Sequence, residues 1–279
     1  MDRCIFSIKG TDMENSSQIK SPQNRNPSPQ QCDFNVDEQN AFYKTVFSRR
    51  DVRGQFTNQP IGEEVLSRKL MAAHYAPSVG FMQPWNFIII RGDEIKNKVH
   101  ALFQTAHNEA ANMFDERSRK TYKNLKLEGI LEAPINICIT CDKDRAGPVV
   151  IGRTHIKEMD VYSSVCAVQN LWLAARAEGV GFGWVSILDQ DQLAQVMKLP
   201  DRVVPVAYIC LGYVSHFHDK PELQTAGWRQ RLPLGDIVNF DTYGQDENGL
   251  FAQNLKHHLL LNQQKIENGL EGGGFIPTP

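Results

Sequence analysis

Apolar positions recur along this chain in two rhythms, helical spacings of three and four and short unbroken runs rich in β-branched residues. Ile61, Val65, Leu66 and Leu70 share one face of a helix that Pro77 stops. Val36 to Phe47 carries a helical pattern, and so does Asp160 to Glu178, with Val161, Val165, Val168 and Trp172 before the stop at Gly179. Asp93 to about Arg117 reads as one long helix, with the charged stretch to Glu128 as its continuation, and a short helix is expected at 190–198. Strands are expected at Asn86–Arg91, Ile135–Cys141, Gly183–Ile187 and Val203–Val214. Helices alternating with apolar strands predict an α/β or α+β sandwich around a buried sheet.

The pattern fades at both ends. Residues 1–35 are rich in Ser, Gln, Asn and Pro, too poor in apolar groups to offset ordering entropy, and are expected to be a disordered tail. Residues 36–245 make the expected single domain. The extension 246–279 is expected to be largely flexible, above all from 264 on, with Gly272-Gly-Gly274 and Pro277-Thr-Pro279. Residues 215–245 have few apolar runs and are expected to wrap around other structure, such as a second subunit.

Composition narrows the partners. Of 279 residues, 41% are apolar and 22% charged, ordinary values for a globular protein. A net charge of −2 and a pI near 6.4 argue against nucleic acid or an anionic membrane surface. No apolar run approaches the roughly 20 residues that cross a bilayer. The N-terminus lacks a signal-peptide core, so a cytoplasmic protein is expected. The cysteines at 4, 32, 138, 141, 166 and 210 are then reduced thiols. Cys138-Ile-Thr-Cys141 has redox or zinc spacing, but on a strand residues three apart point to opposite faces.

Candidate chemistry concentrates in Ser48-Arg-Arg-Asp-Val-Arg-Gly54, where three guanidinium groups surround one carboxylate. Arg forks match phosphate oxygens, so the cluster predicts an anion anchor, with a solvated basic turn as the plainer alternative. A site that only held phosphate would have no use for Asp51. Gly179-Val-Gly-Phe-Gly183 follows a helix and precedes a strand, the reverse of the dinucleotide-binding order. His155, Glu158 and Asp160 match no closed metal set.

The segments Ser48–Arg53, Ala76-Pro-Ser-Val-Gly-Phe-Met-Gln-Pro-Trp-Asn86 and Gly181-Phe-Gly-Trp-Val-Ser186 together resemble the nitroreductase superfamily of FMN proteins, over residues 38–245. Asp51, Lys126-Leu-Glu-Gly-Ile130 before Ala133-Pro134, and Gly227-Trp-Arg-Gln-Arg-Leu-Pro233 resemble its flavin-destroying branch, the 5,6-dimethylbenzimidazole synthases. The resemblance implies an α+β fold with a mostly antiparallel central sheet flanked by helices, in an intertwined homodimer with FMN at the interface. It places Arg49, Arg50, Val52 and Arg53 at the phosphate and ribityl chain, closed over by Arg229 and Arg231. Ser78 would reach the isoalloxazine from the partner chain, Lys126 the ring edge, and Trp184, Val185, Ser186 and Ile187 the middle ring. Ordinary nitroreductases usually carry Ser at the position of Asp51, Asn at that of Phe81 and often Glu at that of Ser186, whereas the synthase branch shares this chain's residues. The long tails do not fit the short chains typical of the synthase branch.

In that branch reduced FMN and dioxygen are consumed, giving 5,6-dimethylbenzimidazole, the lower ligand of cobalamin, and erythrose 4-phosphate. A separate NAD(P)H-dependent flavin reductase would supply the reduced FMN. The chemistry needs a base near the ribityl carbon, for which Asp51 is the candidate, and a hydrogen-bonding group at the ring, for which Ser186 is the candidate. Residues 105–130 would act as a lid. Two alternatives stay open at this level: an NAD(P)H-dependent nitroreductase with resident FMN, and a flavin-binding protein without catalysis.

Overall fold

The computed structural model describes residues 34–269 and 274–276. Four strands form one antiparallel sheet in the order β1-β2-β4-β3, with β1 at Trp85–Ile90, β2 at Ile135–Asp142, β3 at Val180–Val185 and β4 at Val203–Tyr213. The α+β architecture with an antiparallel sheet between helices is therefore the one expected.

Alternation along the strands sorts two cores. Ile135, Ile137 and Ile139 of β2, Ile209 and Leu211 of β4, and Phe182 of β3 point toward helices α2 (Glu63–His74) and α5 (Met159–Ala177). Cys138, Tyr208, Cys210 and Val185 point the other way, toward Val99 and Phe103 of α3 (Asp93–Met113) and Leu193 of α6 (Gln190–Val196). Strand β2 is buried on both faces, which is why it reads as an unbroken apolar run. Each fully buried Ile or Leu there contributes roughly 1.5–3 kcal/mol over exposure. Between β2 and β4 the register shifts at Ile139/Thr140, whose partners are Ala207 and Pro205. The bulge falls beside the proline, which cannot donate to the ladder.

The expected single helix from Asp93 toward Glu128 is instead two. Phe114 turns extended, and Asp115 starts α4 (Glu116–Asn124) by accepting the Ser118 amide at 3.0 Å. Strand β3 begins at Val180, three residues before the expected start, because Gly181 and Gly183 lie within the strand. Helix α1 (Val36–Ser48) leads directly into the arginine segment.

Helix α8 (Leu250–Glu267) occupies most of what was expected to be a flexible extension. Beyond it, Gly274–Ile276 lies against α1: Asn40 exchanges two hydrogen bonds with Ile276, and Phe275 packs 5.0 Å from both Tyr43 and Phe47. The expectations for residues 1–33, including Cys4 and Cys32, and for 270–273 and 277–279 lie outside the described residues.

Cys138 and Cys141 are buried and free, on opposite faces of β2. Burial pushes the Cys138 thiol up to about 12 and Cys141 to about 11, so both stay protonated. Asp160 accepts from Arg153 at 3.0 Å and caps its own helix through the Val161 amide, a structural task rather than metal ligation. Among the described residues no group of His, Cys, Asp and Glu is arranged to hold a metal, and no helix is long and apolar enough to cross a membrane.

Candidate active site

The arginine segment runs along the free edge of β3. The Val52 amide donates to the Phe182 carbonyl at 2.9 Å, and Asp51 Oδ1 accepts the Trp184 amide at 2.9 Å. Such an approach is open only to glycine on the strand, since a Cβ on Gly183 would collide with the Val52 carbonyl oxygen and one on Gly181 with Val214. The Gly-x-Gly pair thus seats the arginine loop, a role that its order in the sequence did not disclose.

Helix α5 holds the loop from behind. Trp172 Nε1 donates to the Arg50 carbonyl at 3.2 Å, Arg176 Nε donates to the Ser48 carbonyl at 2.9 Å, and the Arg49 guanidinium stacks 4.4 Å over the Trp172 ring. Arg50 donates to the carbonyls of Phe47, Arg49 and Asp219. Arg53 donates to Asp51 Oδ2 at 2.6 Å, with its other terminal nitrogen 3.7 Å from Glu222.

Positive charge is in excess here. Burial lowers the Arg49 guanidinium below its ordinary value, Asp51 opposes this, and Arg231 adds to it; burial also lowers Arg50, reinforced by Arg49, Arg231 and Arg176. The Nε atoms of Arg50 and Arg53 are buried without a hydrogen-bond partner. Clustered guanidinium groups with orphaned donors fit a phosphorylated ligand such as FMN, which would supply both the charge and the acceptors. Burial raises the Asp51 carboxyl above the ordinary aspartate value, against the pull of Arg53 and the Trp184 amide. A raised value suits a group that must take up a proton.

Of the other expected residues, Trp184 packs 6.3 Å from Trp172, Val185 is buried in the second core, and Ile187 packs against that core. Ser186 is exposed just past the end of β3. Lys126 passes close to Gly54 but bonds to Glu128 and, at 2.6 Å, to Glu132. Arg231 bears electrostatically on Arg49 and Arg50, while Arg229 is exposed on the same segment. Ser78 is not brought to the cluster within one protomer. It precedes β1, the opposite edge strand, and its hydroxyl accepts the Gln83 amide at 3.1 Å in a turn where Phe81 and Gln83 both adopt positive φ.

Three participants escaped the sequence reading. Trp172 was counted as core, although Arg176 stands one helical turn beyond it, a spacing that puts both side chains on one face. Glu222 faces Arg53, a pairing across more than 160 residues that nothing local announces. Trp228 packs on Phe114 and Tyr122 at the end of an aromatic row that starts from the second core at Phe103 and passes through His107.

The nitroreductase family model matches residues 46–213. The chain is 38% identical over 185 residues to the 5,6-dimethylbenzimidazole synthase of Rhodospirillum rubrum, covering 66% of this chain and 87% of the relative. It is 34% identical to the protein of that name from Rhodobacter capsulatus, covering 72% and 96%. Among solved structures, a BluB-like flavoprotein from Clostridium difficile 630 superposes with a TM-score of 0.54 at 21% identity, covering 72% and 98%. An iodotyrosine deiodinase bound to FMN and 3-iodo-L-tyrosine superposes with a TM-score of 0.57 at 20% identity, covering 72% and 100%. The structural likenesses establish the fold, the sequence likenesses lie with the 5,6-dimethylbenzimidazole synthases, and the chain belongs to the nitroreductase family.

Proposed function

We propose that this protein is a 5,6-dimethylbenzimidazole synthase, which uses dioxygen to fragment reduced FMN into the cobalamin lower ligand and erythrose 4-phosphate. The observation that carries the reading is Asp51, set inside the arginine cluster and clamped to the edge of β3 by the Trp184 amide. The synthase-named relatives support it.

When bound, the reduced flavin supplies the electrons that activate dioxygen and the atoms of the product. Arg49, Arg50, Arg53 and Arg231 hold the phosphate, with Arg176 adding charge from behind. Asp51, ionised and paired with Arg53, accepts a proton from the ribityl carbon, its raised pKa matching it to that task, and as it becomes neutral its ion pair with Arg53 is lost. Ser186 offers its hydroxyl to the ring nitrogens. Val52, Trp184, Val185 and Ile187 line the approach. Lys126 meets the ring edge after leaving Glu128 or Glu132. The aromatic row beneath α3 and α4 keeps water from the reacting centre.

A homodimer completes the site, bringing Ser78 of the second copy to the flavin. It is supported by apolar side chains left open on α5 and before it, among them Val149 at 78% and Ile151 at 87% exposure. Sedimentation should give twice the chain mass, and a monomer at micromolar concentration would remove this part of the reading. A separate cytoplasmic flavin reductase delivers the reduced FMN.

The deciding experiment incubates the protein aerobically with FMN, NADPH and an independent flavin reductase, and seeks 5,6-dimethylbenzimidazole by mass. Product is expected from the wild type, and Asp51→Asn should reduce its rate by at least about a hundredfold, the lower end for loss of a general base. FMN returned intact by the wild type would sink the proposal. Steady NADPH oxidation without the reductase would mark a conventional nitroreductase.

A further inference from the structure

The segment that carries Arg229 and Arg231 has two attachments, one at each end of α7 (Glu222–Thr225). Before the helix, the Asp219 carbonyl accepts from Arg50, and at its start Glu222 faces Arg53 and bonds to Gln55. After the helix, Trp228 meets the lid. Its indole stands edge-on to Phe114 at 5.2 Å and tilted against Tyr122 at 6.3 Å. Phe114 is the extended residue that joins α3 to α4, and Tyr122 is buried in α4. Tyr122 in turn stacks 4.7 Å from His107, and His107 stacks 5.3 Å from Phe103, which is 4% exposed in the core. Both Tyr122 Oη and His107 Nδ1 are buried without a hydrogen-bond partner. The side chains of the row meet through their rings, so the arm's contact with α3 and α4 is apolar, while Arg119 ties α4 to the end of α3 through the Ala111 and Phe114 carbonyls, both at 3.0 Å. Arg229 and Arg231 follow Trp228 by one and three residues, and Arg231 acts on Arg49 and Arg50.

We infer that Trp228 is a positioning residue that couples the lid, the end of α3 together with α4, to the anion-binding arm, so that closing this stretch and engaging the ligand phosphate with Arg231 are one transition. The coupling rests on the flavin reading above. The physical reason is geometric: an indole wedged between Phe114 and Tyr122 cannot keep both ring contacts if the arm swings away. Three residues of chain keep the Arg231 backbone within about 10 Å of the Trp228 backbone, so the two move on one short segment. Reciprocity follows, because whatever the phosphate gains from the arm it gives back to the lid.

The test compares FMN with riboflavin, which lacks the phosphate, in wild type, Trp228→Ala and Trp228→Phe, by fluorescence titration and by hydrogen exchange of the α4 amides. In Trp228→Ala the FMN dissociation constant should rise about tenfold, about 1.4 kcal/mol, with that for riboflavin unchanged. Trp228→Phe, which keeps a ring at the same place, should recover most of the loss. FMN should protect the α4 amides more than riboflavin does in wild type, and this difference should vanish in Trp228→Ala. Equal weakening of both flavins would mean general packing and would overturn the coupling, as would unchanged FMN affinity or equal α4 protection by the two flavins in wild type. Wild-type protein that binds neither flavin would bring down the functional reading and this inference with it. Binding of FMN without the Trp228 effect would bring down only the inference.

Discussion

Two carboxylates in this molecule meet cations and respond in opposite directions. Asp51 sits against Arg53 and Arg49, yet burial outweighs them and its carboxyl is raised. Glu178 accepts from Arg68 and Lys69 at the surface, and those hydrogen bonds hold it down at about 2, against an ordinary 4.5. A depressed carboxylate contributes stability that is fully present above about pH 4.5 and is lost as pH falls toward about 2. Glu178→Gln should flatten that part of the acid-unfolding curve, measured as the urea midpoint against pH, and an unchanged curve would remove Glu178 from the account. The same pair has a one-sided cost. Lys69 is 0% exposed while Glu178 reaches solvent, so Glu178→Ala strands the ammonium and should cost about 1–3 kcal/mol, the range for a buried polar group left unpaired. Lys69→Met removes the charge along with the need for a partner and should be close to neutral.

At the level of elements, the site depends on how closely a loop can lie on a strand. The Val52 amide reaches the Phe182 carbonyl, and the Asp51 carboxylate the Trp184 amide, only because Gly181 and Gly183 carry no side chain. Gly183→Ala should destabilise by about 1–3 kcal/mol, as overpacking does, and should weaken FMN binding more than the same substitution at the open Gly235. Equal binding by the two variants would show that the loop does not depend on the strand edge. The split of residues 93–124 into α3 and α4 belongs to this scale too. Asp115 and Ser118 form a cap that is visible in the sequence once sought, but the apolar periodicity runs through Phe114 and hides it.

Across the whole molecule, the last described residues return to the first helix. Helix α1 buries no residue of its own, and Phe275 lies against Tyr43 and Phe47 while Ile276 pairs with Asn40. A chain ending at residue 269 loses the two Asn40 bonds, the Lys265 bonds to the Gly274 and Phe275 carbonyls and two ring contacts, on the order of 2–4 kcal/mol. Its α1 amides should then exchange faster while those of β2 stay protected. Equal protection of α1 in both chains would show that the returning segment holds nothing. Because α1 runs straight into Arg49, the same truncation should also loosen the arginine loop.

Local pattern was enough for the sheet and most helices, because β2, β4, α2 and α5 each show their own period. It also singled out Arg49, Arg50 and Arg53 around Asp51 as candidates for holding an anion, since guanidinium chemistry follows from residue type. Local pattern failed for α8, whose apolar face has low contrast and whose flanks are rich in Gly and Pro. The partnership of Trp172 and Arg176 with the arginine loop, of Glu222 with Arg53, and of Trp228 with the lid was decided only in three dimensions. Each joins groups more than 100 residues apart, so it exists only after the sheet has brought α5, the loop and the arm to one edge. The chain by itself determined which segments form strands and which residues can hold an anion. The tertiary structure decided which charges are buried together, because desolvation depends on all neighbours at once and not on sequence order.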